Sequence, residues 1–331
     1  MKEQFVRDLK EGDKVLSFFL VKHKQLEYFR DRTKGQFLTL ALSDKTGQVL
    51  ARVWEKALEL AETFEEGNVV KVLGEVEEYL GRLQVIIDKL RPAKEDEYEP
   101  EDFLPHTERD IEEMLVTVRE TIASVGNPYL RALLDKFFAD EEFVAAFSQA
   151  PSARRIHHAY LGGLLEHVVE VIALCRTVLT LYPQINRDLL MTGALLHDVG
   201  KTKELTYERD IEYSDEGRLL GHVVLSDRMI TERIAEIPDL PPELALRLRH
   251  VVVSHHGRYE WGSPRRPKTL EACALHYIDN LDAQVNRFAR IIAARRDKTK
   301  PWTEYDTLLK RYLYAGREED ELVIEEPGPL E

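Results

Sequence analysis

The sequence predicts a two-domain chain: an N-terminal all-β barrel followed by an all-α domain. Three observations predict it. Apolar and polar residues alternate through the first ~93 residues, in the manner of half-buried strands. From Thr107 onward the apolar residues recur at helical spacing. Between the two lies PAKEDEYEPEDFLP, acidic and bounded by prolines. A length of 331 residues also suits two domains, at a soft prior of roughly 150 residues each.

Five strands are predicted in the first part: 13–22, 36–43, 47–54, 68–78 and 82–90. Turns fall at Asp44-Lys45-Thr46-Gly47 and Tyr79-Leu80-Gly81, and a short helix is predicted over 55–64. Five strands with a helix between the third and fourth is the element order of an OB barrel, a fold that binds oligonucleotides on its strand 2–3 face and in its 1–2 and 4–5 loops. The predicted 1–2 loop, KHKQLEYFRDRTKG, carries Lys22, Lys24, Arg30, Arg32 and Lys34, with Tyr28 and Phe29 among them. Cations interleaved with aromatics suit a single strand whose phosphates need neutralising and whose bases stack. The alternative is a solvated hairpin tip whose aromatics cover the barrel end.

The acidic stretch reads as an exposed linker, giving domains at 1–93 and 108–315, a linker at 94–107 and an acidic tail at 316–331. Helices are predicted over 108–124, 127–138, 140–148, 159–182, 186–198, 218–236, 241–256, 268–294 and 303–314. Pro128 fits the first turn of its helix, and Pro241-Pro242 open another.

The net charge of −14 does not exclude a nucleic-acid partner. Residues 1–93 carry 16 Lys/Arg against 16 Asp/Glu, and residues 121–315 carry 26 against 26. The excess lies in 94–120, with 3 against 11, and in 316–331, with 1 against 7. Both bodies are neutral overall, so local basic patches can still attract phosphate. The two cysteines, Cys175 and Cys273, sit in apolar helical contexts and read as small hydrophobes rather than a disulfide framework. The charged N-terminal segment shows no signal peptide, and no apolar run approaches the ~20 residues of a membrane span. The expected location is the cytoplasm, with no membrane partner.

The pair His197-Asp198 closes the apolar helix LLMTGALLHDVGK. A carboxylate at a core edge is costly unless paired, hydrogen-bonded or metal-bound. Further candidate ligands stand on other predicted helices: His167 in GGLLEHVVEVIALC, His222 in GHVVLSDRMI, His255 and His256 in VVVSHHG, and Asp279 in YIDNLDA. A lone core-facing histidine is more often a hydrogen-bonded structural residue. The order of the whole set is what a hydrolase needs to hold one or two divalent ions. Imidazole and carboxylate together suit Mn, Fe, Co or Ni better than a thiolate zinc site.

The order His167, His197-Asp198, Asp279 resembles the HD-domain superfamily of metal-dependent phosphohydrolases. His222 and His255 match those members that hold a second metal. An OB barrel followed by HHAYLGGLLEH, LLHDVGK, GH, SHHG and YIDNLDA is similar to the bacterial YhaM-type 3′-5′ exoribonucleases, over roughly residues 1–314. The resemblance implies a multi-domain chain in which an N-terminal all-β OB-fold barrel precedes an all-α HD domain. It implies manganese as the working ion, single-stranded RNA as substrate, nucleoside 5′-monophosphates as products, and homo-oligomeric assembly. Single-stranded DNA stays open as a second substrate, because nothing here locates a partner for the 2′-hydroxyl. Two rivals are a nucleotide or cyclic-dinucleotide phosphohydrolase with a regulatory barrel, and a non-catalytic nucleic-acid-binding protein.

Other residues carry paired readings. Lys201 could steady a phosphate or protonate a leaving oxygen, catalytic work beside Asp198; a surface lysine favoured at a helix end is the alternative. Asp282, one turn from Asp279, orients a ligand or pairs with Arg287 or Arg290. Adjacent helical residues diverge by ~100°, so one of His255 and His256 is expected to enter the site, and the resemblance favours His255. His157 and His158 contact substrate phosphate, with helix capping or core packing as the alternative. Arg287 and Arg290 belong to a basic group after Asp279 that offers a track for a single strand, with a solvated helix end as the alternative; Arg154 and Arg155 are further basic candidates for nucleic-acid contact.

Overall fold

The computed structural model describes residues 2–29, 31–99, 102–154, 158–207, 211–295 and 299–316. Five strands, β1 (Lys14–Tyr28), β2 (Gln36–Asp44), β3 (Gly47–Val53), β4 (Val69–Tyr79) and β5 (Arg82–Pro92), close a barrel in the order β1-β2-β3-β5-β4. A short helix, α1 (Ala57–Ala61), stands between β3 and β4. The β3–β5 pair is parallel and the other pairs are antiparallel. This is the OB architecture that the element order predicts. Its core is the inward set of the alternation, including Val15, Phe19, Leu38, Leu40, Ala51, Val72 and Val85. At the β4–β5 bulge a Cβ on Gly74 would lie 2.2 Å from the Ile86 carbonyl oxygen, so the close approach requires glycine there.

Strand β1 runs further than predicted. Lys24 through Tyr28 pair with Leu40 through Gln36, so Lys22, Lys24 and Tyr28 lie on a strand and not in a loop. This stretch is polar and largely exposed, with Leu26 and Tyr28 also in solvent, and that polarity concealed the ladder.

The helical body contains α2 (Ile111–Ala123), α3 (Pro128–Phe138), α4 (Glu141–Gln149), α5 (Gly163–Leu181), α6 (Arg187–Leu196), the single turn α7 (Lys201–Glu204), α8 (Asp215–Ile234), α9 (Pro242–Ser254) and α10 (Leu270–Ala293). A two-stranded ribbon, β6 (Leu205–Thr206) and β7 (Glu212–Tyr213), links α7 to α8. Side-chain caps start several of these helices: Asp110, Asn127, Asp140, Asn186, Ser214 and Thr269 each accept a hydrogen bond from a first-turn amide. Helix α6 is buried along most of its length, from Leu189 to Leu196, and delivers His197 and Asp198 to the centre of the domain.

Two expectations fail. The 94–107 segment is not an exposed linker throughout. Phe103 packs with Phe18, Leu20 and Val69 on the barrel, while Leu104 packs with Leu205 and Ile211 on the helical body. Phe103 and Leu104 bury despite the acidic composition around them. The predicted helix 303–314 is also absent: the segment folds back through bridges Trp302↔Tyr314 and Asp306↔Arg311. Ring pairs Trp302–Tyr314 and Tyr305–Tyr312 stabilise that fold-back as cross-strand contacts. The tail from residue 317 lies outside the described residues.

Candidate metal centre and nucleic-acid interface

Five imidazoles meet around Asp198, and the scaffold orients each of them through Nδ1. His197, capping α6, donates Nδ1–H to the Ala194 carbonyl at 2.9 Å. His255, capping α9, donates to the Val252 carbonyl at 2.6 Å. His256 donates to the Trp261 carbonyl at 2.9 Å. His167, on α5, donates to Asp282 Oδ2 at 2.6 Å, and His222 donates to Glu204 Oε1 at 2.9 Å. With Nδ1 of each ring engaged by an acceptor, Nε2 is the nitrogen left to face the centre, the atom through which neutral imidazole binds metal.

Those Nε2 atoms converge on two adjacent points. His167 Nε2 is 3.2 Å from His197 Nε2 and 3.3 Å from Asp279 Oδ1. His222 Nε2 is 3.1 Å from His256 Nε2, and His255 joins that pair as a second group of mutually close donor atoms. Asp198 lies between the groups. Its Oδ2 is 3.7 Å and 3.5 Å from the Nε2 atoms of His167 and His197, and its Oδ1 is 3.5 Å from those of His222 and His255.

Two observations show that this donor set fits a cation. Asp198 Oδ1 and His255 Nε2 are buried and lack a hydrogen-bond partner, a costly state for polar atoms in a core. Each short N···N contact also brings two lone pairs together unless a proton or a metal lies between them. The donors are nitrogen and oxygen, with no thiolate, as a divalent first-row ion prefers.

The charges are consistent with such a centre. Burial opposes ionisation of Asp198, but the Lys201 ammonium and the His197, His222 and His255 rings outweigh it and hold the carboxyl well below the usual range. Asp279 is likewise lowered against its burial, chiefly by its hydrogen bond with His167. Burial pushes His255 well below the ordinary histidine value, so its lone pair stays available.

Lys201 is not a surface lysine. It is buried, with Nζ 2.5 Å from Asp198 Oδ2 and 3.1 Å from Ser152 Oγ. Asp282 supports His167 from behind and does not pair with Arg287, which instead meets Asp306 at 2.9 Å. The guanidinium of Arg290 stands 5.8 Å from the Tyr160 ring. His158 is fully buried, 3.1 Å from Asp282 Oδ2, and so belongs to this supporting layer rather than to a phosphate-facing surface. Glu170 also contacts Asp282; burial, then the Asp282 carboxylate, pushes its pKa up to about 8.

His256 contradicts the expectation that only one of the adjacent pair enters. Helix α9 ends at Ser254, so the angular rule no longer governs residue 256. Gly257 then turns the chain at φ +72°, with its Cα face against the His276 ring. Glu204 was missed by sequence reasoning. It is buried beneath His222 and accepts both the His222 amide and its Nδ1–H. The signal was a carboxylate three residues after Lys201 in HDVGKTKE. A kink at Gly221, φ +73°, makes that double contact reachable by breaking the helical path of α8 just before His222.

A cleft of about 380 Å³ opens onto this centre. Arg154, Lys201, Asn280, Gln284 and Arg287 line it beside the ligand-type residues. Arg154 is paired with Glu212. On the barrel, Phe29, Phe37 and Trp54 cluster with ring centroids 5.0–5.7 Å apart, and the Arg52 guanidinium lies 5.1 Å from the Phe37 ring. Of these, sequence reasoning named only Phe29; Phe37, Arg52 and Trp54 lie on strands or a strand end, outside the basic run. Tyr28 is exposed and stacks with Arg32 at 5.6 Å. Lys34 lies in the short turn before β2. Lys24 is engaged elsewhere, its Nζ bonding the Ala61 and Phe64 carbonyls and Glu65. Arg30, Arg155 and His157 lie outside the described residues.

Residues 164–284 match the HD domain model, and residues 20–93 match the model for an OB-fold nucleic acid binding domain. The 3′-5′ exoribonuclease YhaM of Bacillus velezensis is 37% identical over 302 residues, covering 88% of this chain and 91% of its own. This chain belongs to the YhaM family. The Bacillus subtilis member gives the same identity and coverage, and that of Shouchella clausii is 34% identical over 288 residues, covering 87% of this chain and 89% of its own. The second OB-fold domain of replication protein A from Methanococcus maripaludis is a solved structure that covers 29% of this chain and 97% of its own, with 21% identity and a TM-score of 0.24. The YhaM-family member described here is a metal-dependent hydrolase of the HD type with a nucleic-acid-binding barrel. No helix among the described residues is long and apolar enough to cross a membrane.

Proposed function

We propose that this chain hydrolyses single-stranded RNA from its 3′ end, releasing nucleoside 5′-monophosphates. The observation that carries the reading is Asp198, buried between two groups of histidine Nε2 atoms with one oxygen lacking a hydrogen-bond partner, at a cleft that also receives Lys201. His167, His197, Asp198 and Asp279 would hold one ion; His222, His255, His256 and Asp198 would hold a second. Manganese is the proposed metal. A divalent pair supplies Lewis acidity toward the phosphodiester and brings water toward ionisation near neutral pH.

The chain's own residues do the rest. Lys201 steadies a non-bridging phosphate oxygen, or gives its proton to the departing 3′ oxygen. Arg287 holds the next phosphate. The Phe29, Phe37 and Trp54 rings receive upstream bases by stacking, with Arg52 beside them. Attack in line at phosphorus leaves the phosphate on the released nucleotide.

The test is a 5′-labelled single-stranded RNA with manganese, with chelator and Asp198→Ala as controls. Shortening from the 3′ end, lost in both controls, is expected. Intact RNA beside hydrolysed mononucleotide or cyclic dinucleotide would favour the small-nucleotide reading. A 3′-phosphate or cyclic product would reject the proposed regiochemistry.

A further inference from the structure

The turn after α9 holds an exposed tryptophan against the metal centre. Trp261 is 46% exposed, yet its carbonyl accepts the His256 Nδ1–H at 2.9 Å. Its position is therefore tied to a candidate ligand. The His276 ring lies 6.0 Å from the indole, and His276 Nδ1 donates to the His255 carbonyl at 2.7 Å. The Arg258 guanidinium stands 4.8 Å from the indole ring. Trp261 lines the cleft that contains Asp198, His222 and His256, and also the neighbouring cleft beyond it.

The indole leaves a broad aromatic face open to the cleft. Its backbone is anchored by the bond to His256, and Arg258 and His276 flank the ring. An aromatic face beside a phosphodiester site suits a nucleobase, because every base offers a π-face. We propose that Trp261 is a positioning residue that stacks on the base of the 3′-terminal nucleotide and sets its phosphodiester at Asp198 and Lys201. This rests on the exoribonuclease reading. It predicts a site tolerant of base identity but dependent on a base being present.

The experiment measures the first cleavage in a single turnover, with manganese, on two RNAs. One ends in an ordinary nucleotide and the other in an abasic ribonucleotide. Wild-type protein is expected to cut the ordinary end about tenfold to a hundredfold faster than the abasic end, from the usual contribution of one stacked base. Trp261→Ala should remove most of that difference by slowing only the ordinary end, and Trp261→Phe should restore most of it. Manganese content should match wild type in both variants. If Trp261→Ala slows both ends by the same factor, the side chain serves only to place His256, and the proposal is overturned. Wild-type rates on both ends in Trp261→Ala overturn it as well. If wild-type protein cuts neither RNA, the exoribonuclease reading fails, and the proposal falls with it.

Discussion

Asp198 offers one oxygen to each histidine group, so its removal should empty both sites at once. Asp282 poses a finer question at the same scale. It touches no ion in the proposed arrangement but fixes the His167 tautomer through a 2.6 Å bond. Such a partner typically accounts for about 10–100-fold in metal affinity or activity. Asp282→Asn should therefore weaken manganese binding by about that factor while the fold persists, as checked by metal titration and circular dichroism. Lys2 gives a separate prediction on the barrel. Its ammonium is buried 3.2 Å from Asp44 and 3.8 Å from the Phe19 ring centroid. Burial lowers its pKa to about 8, from 10.5, against the pull of Asp44. Between those values the unfolded chain binds a proton that the folded one does not, so this group's contribution to stability rises with pH through that window and is lost as pH falls to about 8. Denaturant unfolding of wild type and Lys2→Met across pH 7–11 should show the extra slope in wild type alone.

At the scale of elements, the turn from α9 into Gly257 decides whether His256 can join His222 and His255. A Cβ at residue 257 would lie 2.2 Å from the His276 ring, in a backbone at φ +72° that side chains rarely adopt. Gly257→Ala should cost at least about 1–2 kcal/mol of stability and lower manganese occupancy more than that loss alone explains, measured by thermal unfolding beside metal content. The same turn shows where sequence reasoning stopped. His167, His197, His222 and Asp279 were legible because their residue types and order along apolar helices resemble a known metal-ligand set, and His255 was preferred to its neighbour only through that resemblance. His256 was not, because its direction depends on where a helix ends. The strands were legible where one face fills the barrel core, as at Leu38, Leu40 and Leu42. They were not along Lys24–Tyr28, where a polar ladder looks like a loop. Residues 303–314 carry aromatics that fit helical spacing, yet Trp302 and Tyr305 pair across a fold-back with Tyr314 and Tyr312. Local pattern cannot distinguish these alternatives, since only the contact across the turn separates them. Phe37 and Trp54 are a further case: two rings 17 positions apart in sequence become neighbours through the β2–β3 pairing.

At the scale of the molecule, the segment between the bodies matters through two adjacent residues. Phe103 is buried on the barrel and Leu104 on the helical body, and Lys45 pairs with Asp102 at 3.3 Å to hold the same junction. One peptide bond therefore joins the two apolar anchors, which limits how far the barrel platform can swing relative to the cleft. The consequence is a ruler. A strand long enough to lie on Phe37 and Trp54 while its end occupies the cleft is held at two points and should be shortened processively. Below that length the barrel loses its grip, and each further cut requires a fresh encounter. Product ladders under excess unlabelled RNA should show an abrupt change to distributive cutting at one remaining length. Trp54→Ala should make cutting distributive at every length, and unchanged ladders in that variant would separate the barrel from the shortening reaction.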